Sequence, residues 1–241
     1  GYSDRLSLSV AQIGKICRII KEISPNTVIM VDNCYGDLVE TQEPTDVGAD
    51  VLVGSLLKNL GAGQTKTGGY IVGKKEYITD IAERFSAPCV GKDIGANLNQ
   101  LLPMFKGIYS APSVVCASLK TAAFASFMLS RLGYSVSPKF DDERADIVQT
   151  VSLGSAEKLI EFCQGIQHGV AIENFVTLMP SEMPGYPHEE IMASGSFISG
   201  STIELSCDGP IHPPFTAYMQ GSLTYEYGKL GIMIALSHLT K

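Results

Sequence analysis

The 241-residue chain has no run of about eighteen uninterrupted apolar residues, so it lacks the plainest signature of a membrane span. It has no recognisable secretory signal at its start. Basic residues are in deficit, 18 Lys and Arg against 25 Asp and Glu, for a formal net charge of −7. Such a balance leaves no positive surplus to neutralise a phosphate backbone, which argues against nucleic acid as the main partner. None of the six cysteines falls in a CxxC pair or a metal-finger spacing, so a reducing, cytoplasmic setting is expected. Five of them read as small buried apolar residues, with Cys34 set apart. The four histidines form no HExxH or similar ligand group, and His188 beside Glu189 and Glu190 reads as part of a solvated turn. No metal is expected. Charged residues make up only 18%, below the usual quarter, and the mean hydropathy is +0.15. That combination suggests an exterior partly covered by other copies, hence a homo-oligomer, a dimer or tetramer, with a tightly packed monomer as the alternative.

Alternation of strand and helix signals favours α/β layering. Ser9 and Gln12 form a capping box, and Val10, Ile13, Ile16, Ile19, Ile20 and Ile23 recur at helical spacing, which predicts a helix over 9–23. The β-branched run from Thr27 to Val31 reads as a buried, parallel strand running out at Asp32. A second strand over Asp50 to Ser55 leads to Lys58, and a third over Gly68 to Gly73 turns back beside it. A long helix is predicted from Ser113 to Leu132, stopped by Gly133. Lys120 and Arg131 argue against its crossing a membrane. Beyond it come a strand over Asp146 to Ser152, a helix capped by Ser155, an alternating strand over Phe197 to Cys207, and a last helix over Leu223 to Leu239. A domain boundary is placed near residue 133, giving domains 1–133 and 134–241.

Two strand ends carry chemistry. Asp32 closes one buried strand, and Ser55-Leu56-Leu57-Lys58 closes the next, followed by the glycine loop Gly61-Ala62-Gly63. In an open α/β sheet, ligands bind at the carboxyl ends of strands, where both residues would lie. A lysine in so apolar a setting needs a partner or a lowered pKa, and a neutral lysine attacks aldehydes. Pyridoxal 5'-phosphate wants this set: a lysine for its aldehyde, an acid on its pyridine nitrogen, and hydroxyl and backbone N–H donors for its phosphate. Lys58, Asp32 and Ser55 match in that order. The pattern alone equally allows Asp32 as a helix N-cap and Lys58 as a solvent-facing side chain. Competing motifs fail: Lys66-Thr67 lacks the preceding glycine of a P-loop and Leu60 stands at its leading glycine position, no GxGxxG follows Asp32, and no GxSxG occurs. A catalytic Cys34 has no histidine at an interpretable spacing.

The stretches VDNCYGDLVE (31–40), VGADVLVGSLLKNLGAG (47–63), TGGYIVG (67–73), TIELS (202–206) and DGPIHPPFTAYMQGSLTYEYGKLGI (208–232) closely resemble the methionine gamma-lyase family. That family, also known for aluminium resistance proteins, falls within the fold-type-I pyridoxal phosphate enzymes. The resemblance implies part of a large α/β domain with a mostly parallel sheet, followed by a smaller α+β domain. It implies Lys58 as the Schiff-base lysine and proton carrier, Asp32 as the pyridinium partner and Ser55 as a phosphate ligand. It also implies Cys34 beneath the ring and Tyr35 on its phenolic oxygen. His212 stands where the family usually has arginine, which alters how a carboxylate or phosphate would be gripped. Family members extend further at the N-terminus, so the chain corresponds to the latter part of a longer enzyme. The activity implied is carbon–sulfur elimination on a sulfur amino acid such as methionine, cystathionine or cysteine. The alternatives are a non-catalytic fragment or pseudoenzyme, or a cofactor-dependent aminotransferase or desulfurase.

Overall fold

The computed structural model describes residues 3, 5–91, 99–196 and 203–240. Helix α1 spans Val10–Ile23, and its capping box forms as expected: the Ser9 hydroxyl accepts the Gln12 N–H, and the Gln12 side chain accepts the Ser9 N–H. Satisfying these N-terminal donors is worth about 1 kcal/mol. Only part of the apolar stripe turns inward. Val10, Gly14 and Cys17 are buried, while Ile16, Ile19 and Ile23 stay exposed.

Three strands follow: β1 (Met30–Asp32), β2 (Val51–Ser55) and β3 (Gly69–Gly73). They form one sheet in the order β1-β2-β3. β1 runs parallel to β2 with Asp32 opposite Val53, and β3 returns antiparallel with Tyr70 opposite Gly54. The expected turn-back is present, so the pairings of this sheet are one parallel and one antiparallel. Helix α2 (Lys75–Phe85) comes next, an element whose mixed polar sequence gave little sign of it.

Helix α3 extends over Leu101–Arg131, starting twelve residues before the expected Ser113 and passing through Pro112. A proline inside a helix removes one backbone donor and crowds the preceding turn. Tertiary packing overrides that cost: Ala111 is wholly buried, and a Cβ on Gly107 would sit 2.5 Å from the Gly61 carbonyl oxygen. α3 is long and apolar enough to cross a membrane, yet half of its most apolar stretch is buried within the fold. Its end meets the expected stop, with Gly133 at φ 87°.

The remaining strands, β4 (Ser135–Ser137), β5 (Gln149–Ser152), β6 (Glu190–Ala193), β7 (Ser206–Pro210) and β8 (Thr216–Gln220), make a second sheet ordered β4-β5-β8-β7-β6. All its pairings are antiparallel. The strand expected over Phe197 to Cys207 falls mostly on 197–202, outside the described residues, and β7 begins only at Ser206. Helix α4 (Ala156–Val170), capped by Ser155 as expected, packs on α5 (Tyr225–Leu239). Small residues set their closeness, since a Cβ on Gly165 would lie 2.6 Å from the Ala235 Cα. Phe162, Leu159, Ile166, Ile191, Met219 and Ile232 fill the core beneath this sheet. Ala125 and Leu129 of α3 join that core, whereas Ala111, Val114 and Val115 join a second one with Ala62 and Ile147. α3 therefore links the second sheet to the loops that follow β1 and β2. Cys17, Cys163 and Cys207 are buried as expected, but Cys89 is exposed, and Cys116 is exposed too, on the face of α3 turned away from the core that Val114 and Val115 join.

At the start of β2 lies Asp50, wholly buried. Its carboxylate accepts from Lys21 Nζ of α1 at 2.7 Å, from the Ile29 N–H at 2.8 Å, and from Lys74 Nζ just past β3. Burial alone would raise its pKa, but these donors outweigh burial and hold the carboxyl well below the usual range. A group depressed in the folded state stabilises above its unfolded pKa and loses that contribution as pH falls through the folded value. Asp50→Ala should therefore cost roughly 2–3 kcal/mol at neutral pH. In urea unfolding, the gap from the unsubstituted protein should shrink as the pH drops below about 4.

Candidate active site

Parallel pairing of β1 and β2 brings their carboxyl ends, and the loops that follow, to the same edge of the sheet. Beyond Asp32 the chain makes turns through Val39 rather than a helix. Asp32 Oδ1 accepts the Cys34 N–H at 3.0 Å, an Asx turn in place of an N-cap. Beyond β2 the Ser55 hydroxyl accepts the Leu57 N–H at 3.1 Å, and the Lys58 N–H donates to the Ser55 carbonyl at 3.3 Å. That turn leads into a short 3-10 helix, Asn59–Gly61. Gly61 is required where it stands, because any Cβ there would collide with the Leu56 carbonyl.

Asp32, Cys34, Tyr35 and Lys58 line one cleft of about 760 Å³. Lys58 is half-buried rather than solvent-facing, and its Nζ lies 5.1 Å from the centre of the Tyr35 ring, within cation–π range. Asp32 is exposed to the cleft. The Cys34 thiol is pushed up to about 11, first by burial, then by its hydrogen bond to Asp32 and the Asp32 charge. It is thus a thiol at neutral pH and a poor nucleophile. Ser55 is half-buried and does not line the cleft. His212 lies between β7 and β8, stacked on exposed His188 with ring centres 4.2 Å apart, and likewise does not line it. Among the described residues, no group of three or more metal-ligating side chains occurs.

Behind the cleft stands a buried polar network that sequence reasoning missed. Asp37, 2% exposed, accepts from Asn33 Nδ2 at 2.9 Å and from the Tyr70 hydroxyl. Asn33 also donates to Glu43 at 2.8 Å, and Glu43 in turn accepts the Leu38 N–H. Asn59, 0% exposed, donates to the carbonyls of Tyr35 at 3.2 Å and Asp37 at 2.9 Å. One sign of this was legible. Gly54 interrupts a β-branched strand, and a Cβ there would sit 2.5 Å from the Tyr70 ring that delivers its hydroxyl to Asp37. Burial lifts the Asp37 carboxyl to about 6 despite the bonds from Tyr70 and Asn33, with the Glu43 and Asp32 charges adding to the rise.

An amine, a carboxylate and an aromatic ring thus stand around one cleft at the carboxyl ends of parallel strands, the place where open α/β sheets bind their ligands. The fold is shared with cystathionine gamma-lyase from yeast, at a TM-score of 0.60 and 16% identity over 95% of this chain and 60% of that one. The family model for methionine gamma-lyase matches residues 1–240, and the chain belongs to that family. It is 47% identical to YnbB of Bacillus subtilis over 99% of this chain and 57% of YnbB. A Listeria innocua structure, provisionally named a cystathionine beta-lyase involved in aluminum resistance, superposes at a TM-score of 0.94 with 42% identity, covering 98% of this chain and 58% of that one. A carbon-sulfur lyase involved in aluminum resistance from Clostridium novyi does so at 0.92 with 42% identity, over 98% and 55%. The chain thus spans under two thirds of the length of each of these relatives.

Two measurements follow from the electrostatics. A carboxyl whose folded pKa is raised contributes stability below its unfolded pKa and loses it as pH rises through the folded value. Stability should therefore fall between pH about 4 and about 6 in the unsubstituted protein, and Asp37→Asn should flatten that fall in denaturant titrations. At neutral pH, Cys34 should alkylate with iodoacetamide more slowly than exposed Cys89 and Cys116, as peptide mass spectrometry would read.

Proposed function

We propose that the chain carries the lysine-bearing part of a pyridoxal-phosphate-dependent carbon–sulfur lyase acting on a sulfur amino acid. The observation that carries this reading is the convergence of Lys58, Asp32 and Tyr35 on one cleft at the ends of two parallel strands. Its volume, about 760 Å³, falls in the range of small-molecule sites. The residues fit the cofactor. Lys58 offers a half-buried amine for its aldehyde, exposed Asp32 can accept from its protonated ring nitrogen, and Tyr35 can meet its phenolic oxygen. Ser55 stands outside the cleft wall; its hydroxyl oxygen is taken by the Leu57 N–H, and its hydrogen would serve only a phosphate that reaches past that wall.

When bound, pyridoxal phosphate supplies an electron sink that weakens the bonds at the substrate Cα. Lys58 would hold the cofactor through its aldehyde, and the lysine amine would take the proton from the substrate Cα and give it up to the thiolate leaving the β or γ carbon. Asp32 holds the ring nitrogen protonated. Residues 1–133 then form part of the cofactor domain and 134–241 a smaller domain, within an assembly of two or four copies. The names of the similar proteins, lyases of cystathionine and of carbon–sulfur bonds, support the reaction class.

Incubation with pyridoxal phosphate, borohydride reduction and peptide mapping should label Lys58, and Lys58→Ala should lose the label while retaining the fold. Labelling at another lysine would sink the assignment. With methionine, cystathionine and cysteine as substrates, the expected products are ammonia and a keto acid. Transfer of the amine instead would mark an aminotransferase.

A further inference from the structure

Asn59 is an odd residue to find at full burial. Its Nδ2 hydrogens serve the carbonyls of Tyr35 and Asp37, but its Oδ1 has no partner among the described residues. A buried acceptor left unmet costs stability, and an apolar side chain in its place would avoid that cost. The Tyr35 carbonyl has a second donor in the Ile147 N–H, so it does not depend on Asn59 to be satisfied. Stability accounts for the bond to the Asp37 carbonyl but gives little reason for the second bond, to Tyr35. Asp37 repeats the pattern at the other end of the same bond, with Oδ2 buried and unpartnered.

What the amide does accomplish is positional. Asn59 follows Lys58 directly, and its side chain reaches back across the sheet edge to the backbone on both sides of Gly36. It thereby ties the loop after β2, which carries Lys58, to the loop after β1, which carries Tyr35. Tyr70 and Asn33 hold Asp37, so one end of the tie is anchored to β3 and to the start of the β1 loop. The Lys58 end is wedged from behind, because Gly61 packs against Gly107 of α3 too closely for any side chain.

We propose that Asn59 is a positioning residue that sets the Lys58 amine against the Tyr35 ring. The proposal rests on the reading of Lys58 as the cofactor-holding lysine, and its test keeps the two apart. Reductive methylation of the intact protein with carbon-13 formaldehyde gives each lysine an NMR signal, with Lys58 assigned by its loss in Lys58→Arg. The Tyr35 ring, 5.1 Å away, should displace that signal from those of the exposed lysines, and Tyr35→Leu should abolish the displacement. Asn59→Ala should move the signal to the Tyr35→Leu position, and Asn59→Ser, which keeps one donor, should place it between. Capture of pyridoxal phosphate at Lys58 should slow roughly tenfold or more in Asn59→Ala, as expected for a reacting group displaced by a fraction of an ångström or more. Ile191→Ala, a core truncation under the other sheet, controls for lost stability and should leave the Lys58 signal in place.

A folded Asn59→Ala protein with signal and capture rate both unchanged would overturn the proposal, as would an equal shift in Ile191→Ala. Should Asn59→Ala fail to fold, Asn59→Ser decides the question by the same two readouts, and an unchanged signal and rate there would overturn the proposal equally. A shifted signal in a protein that never captures pyridoxal phosphate at Lys58 would uphold the positioning role and remove the cofactor reading instead.

Discussion

The buried carboxylate of Asp50 is the constraint on which the candidate site depends. It gathers a lysine from α1, the backbone N–H of Ile29 and a lysine beyond β3, so four segments distant in sequence meet at one side chain. Backbone bonds double the link, with the Asp50 N–H donating to the Ile29 carbonyl and the Lys74 N–H to the Asp50 carbonyl. The register that results sets Met30 opposite Val51 and Asp32 opposite Val53. In a sheet, a one-residue slip would turn every side chain to the other face. Asp50 stands at the opposite end of β2 from Lys58, yet the alignment it holds is what lets Asp32 and Lys58 look into the same cleft.

Near the cleft, closeness of backbones replaces charge as the organising device. Gly61 lies under the Leu56 carbonyl and against Gly107, Gly54 makes room for the Tyr70 ring, and a Cβ on Gly36 would strike the Asn33 side chain. Each glycine lets one loop approach another at a distance that a methyl group would forbid. The polar network of Asn33, Asp37, Asn59 and Tyr70 fills the space so opened. Its members are buried or half-buried, where hydrogen bonds hold geometry more firmly than at a solvated surface.

Much of the order of elements was readable from the residues. The capping box at Ser9, the N-cap at Ser155, the stop at Gly133 and the hairpin-like return of β3 depend on interactions within a few residues, or on one strand beside the next. The short antiparallel strands β4, β6 and β8 were not readable, because each is only three to five residues long and none shows a clean alternation of apolar and polar residues. The start of α3 was not readable either: packing of Gly107 and Ala111 against remote parts of the chain carries the helix through Pro112 and back to Leu101. Cys89 and Cys116 show the reverse error, since composition alone assigned them an interior that the fold does not provide.

The order of residues already marked the candidate set, with Lys58 and Asp32 at strand ends and Tyr35 beside them, and carried the family in long motifs. Covalent order and local hydrogen bonding suffice for that, because strand ends and turns are short-range features. Only the tertiary structure decided that Asp32 forms an Asx turn rather than a helix cap, that Lys58 turns to the Tyr35 ring, and that Ser55 and His212 stand outside the cleft wall. It alone brought Asn59, Asp37 and Tyr70 together behind the cleft. Those outcomes depend on where loops from different strands come to rest against one another, and burial and register set that only once the whole chain has packed.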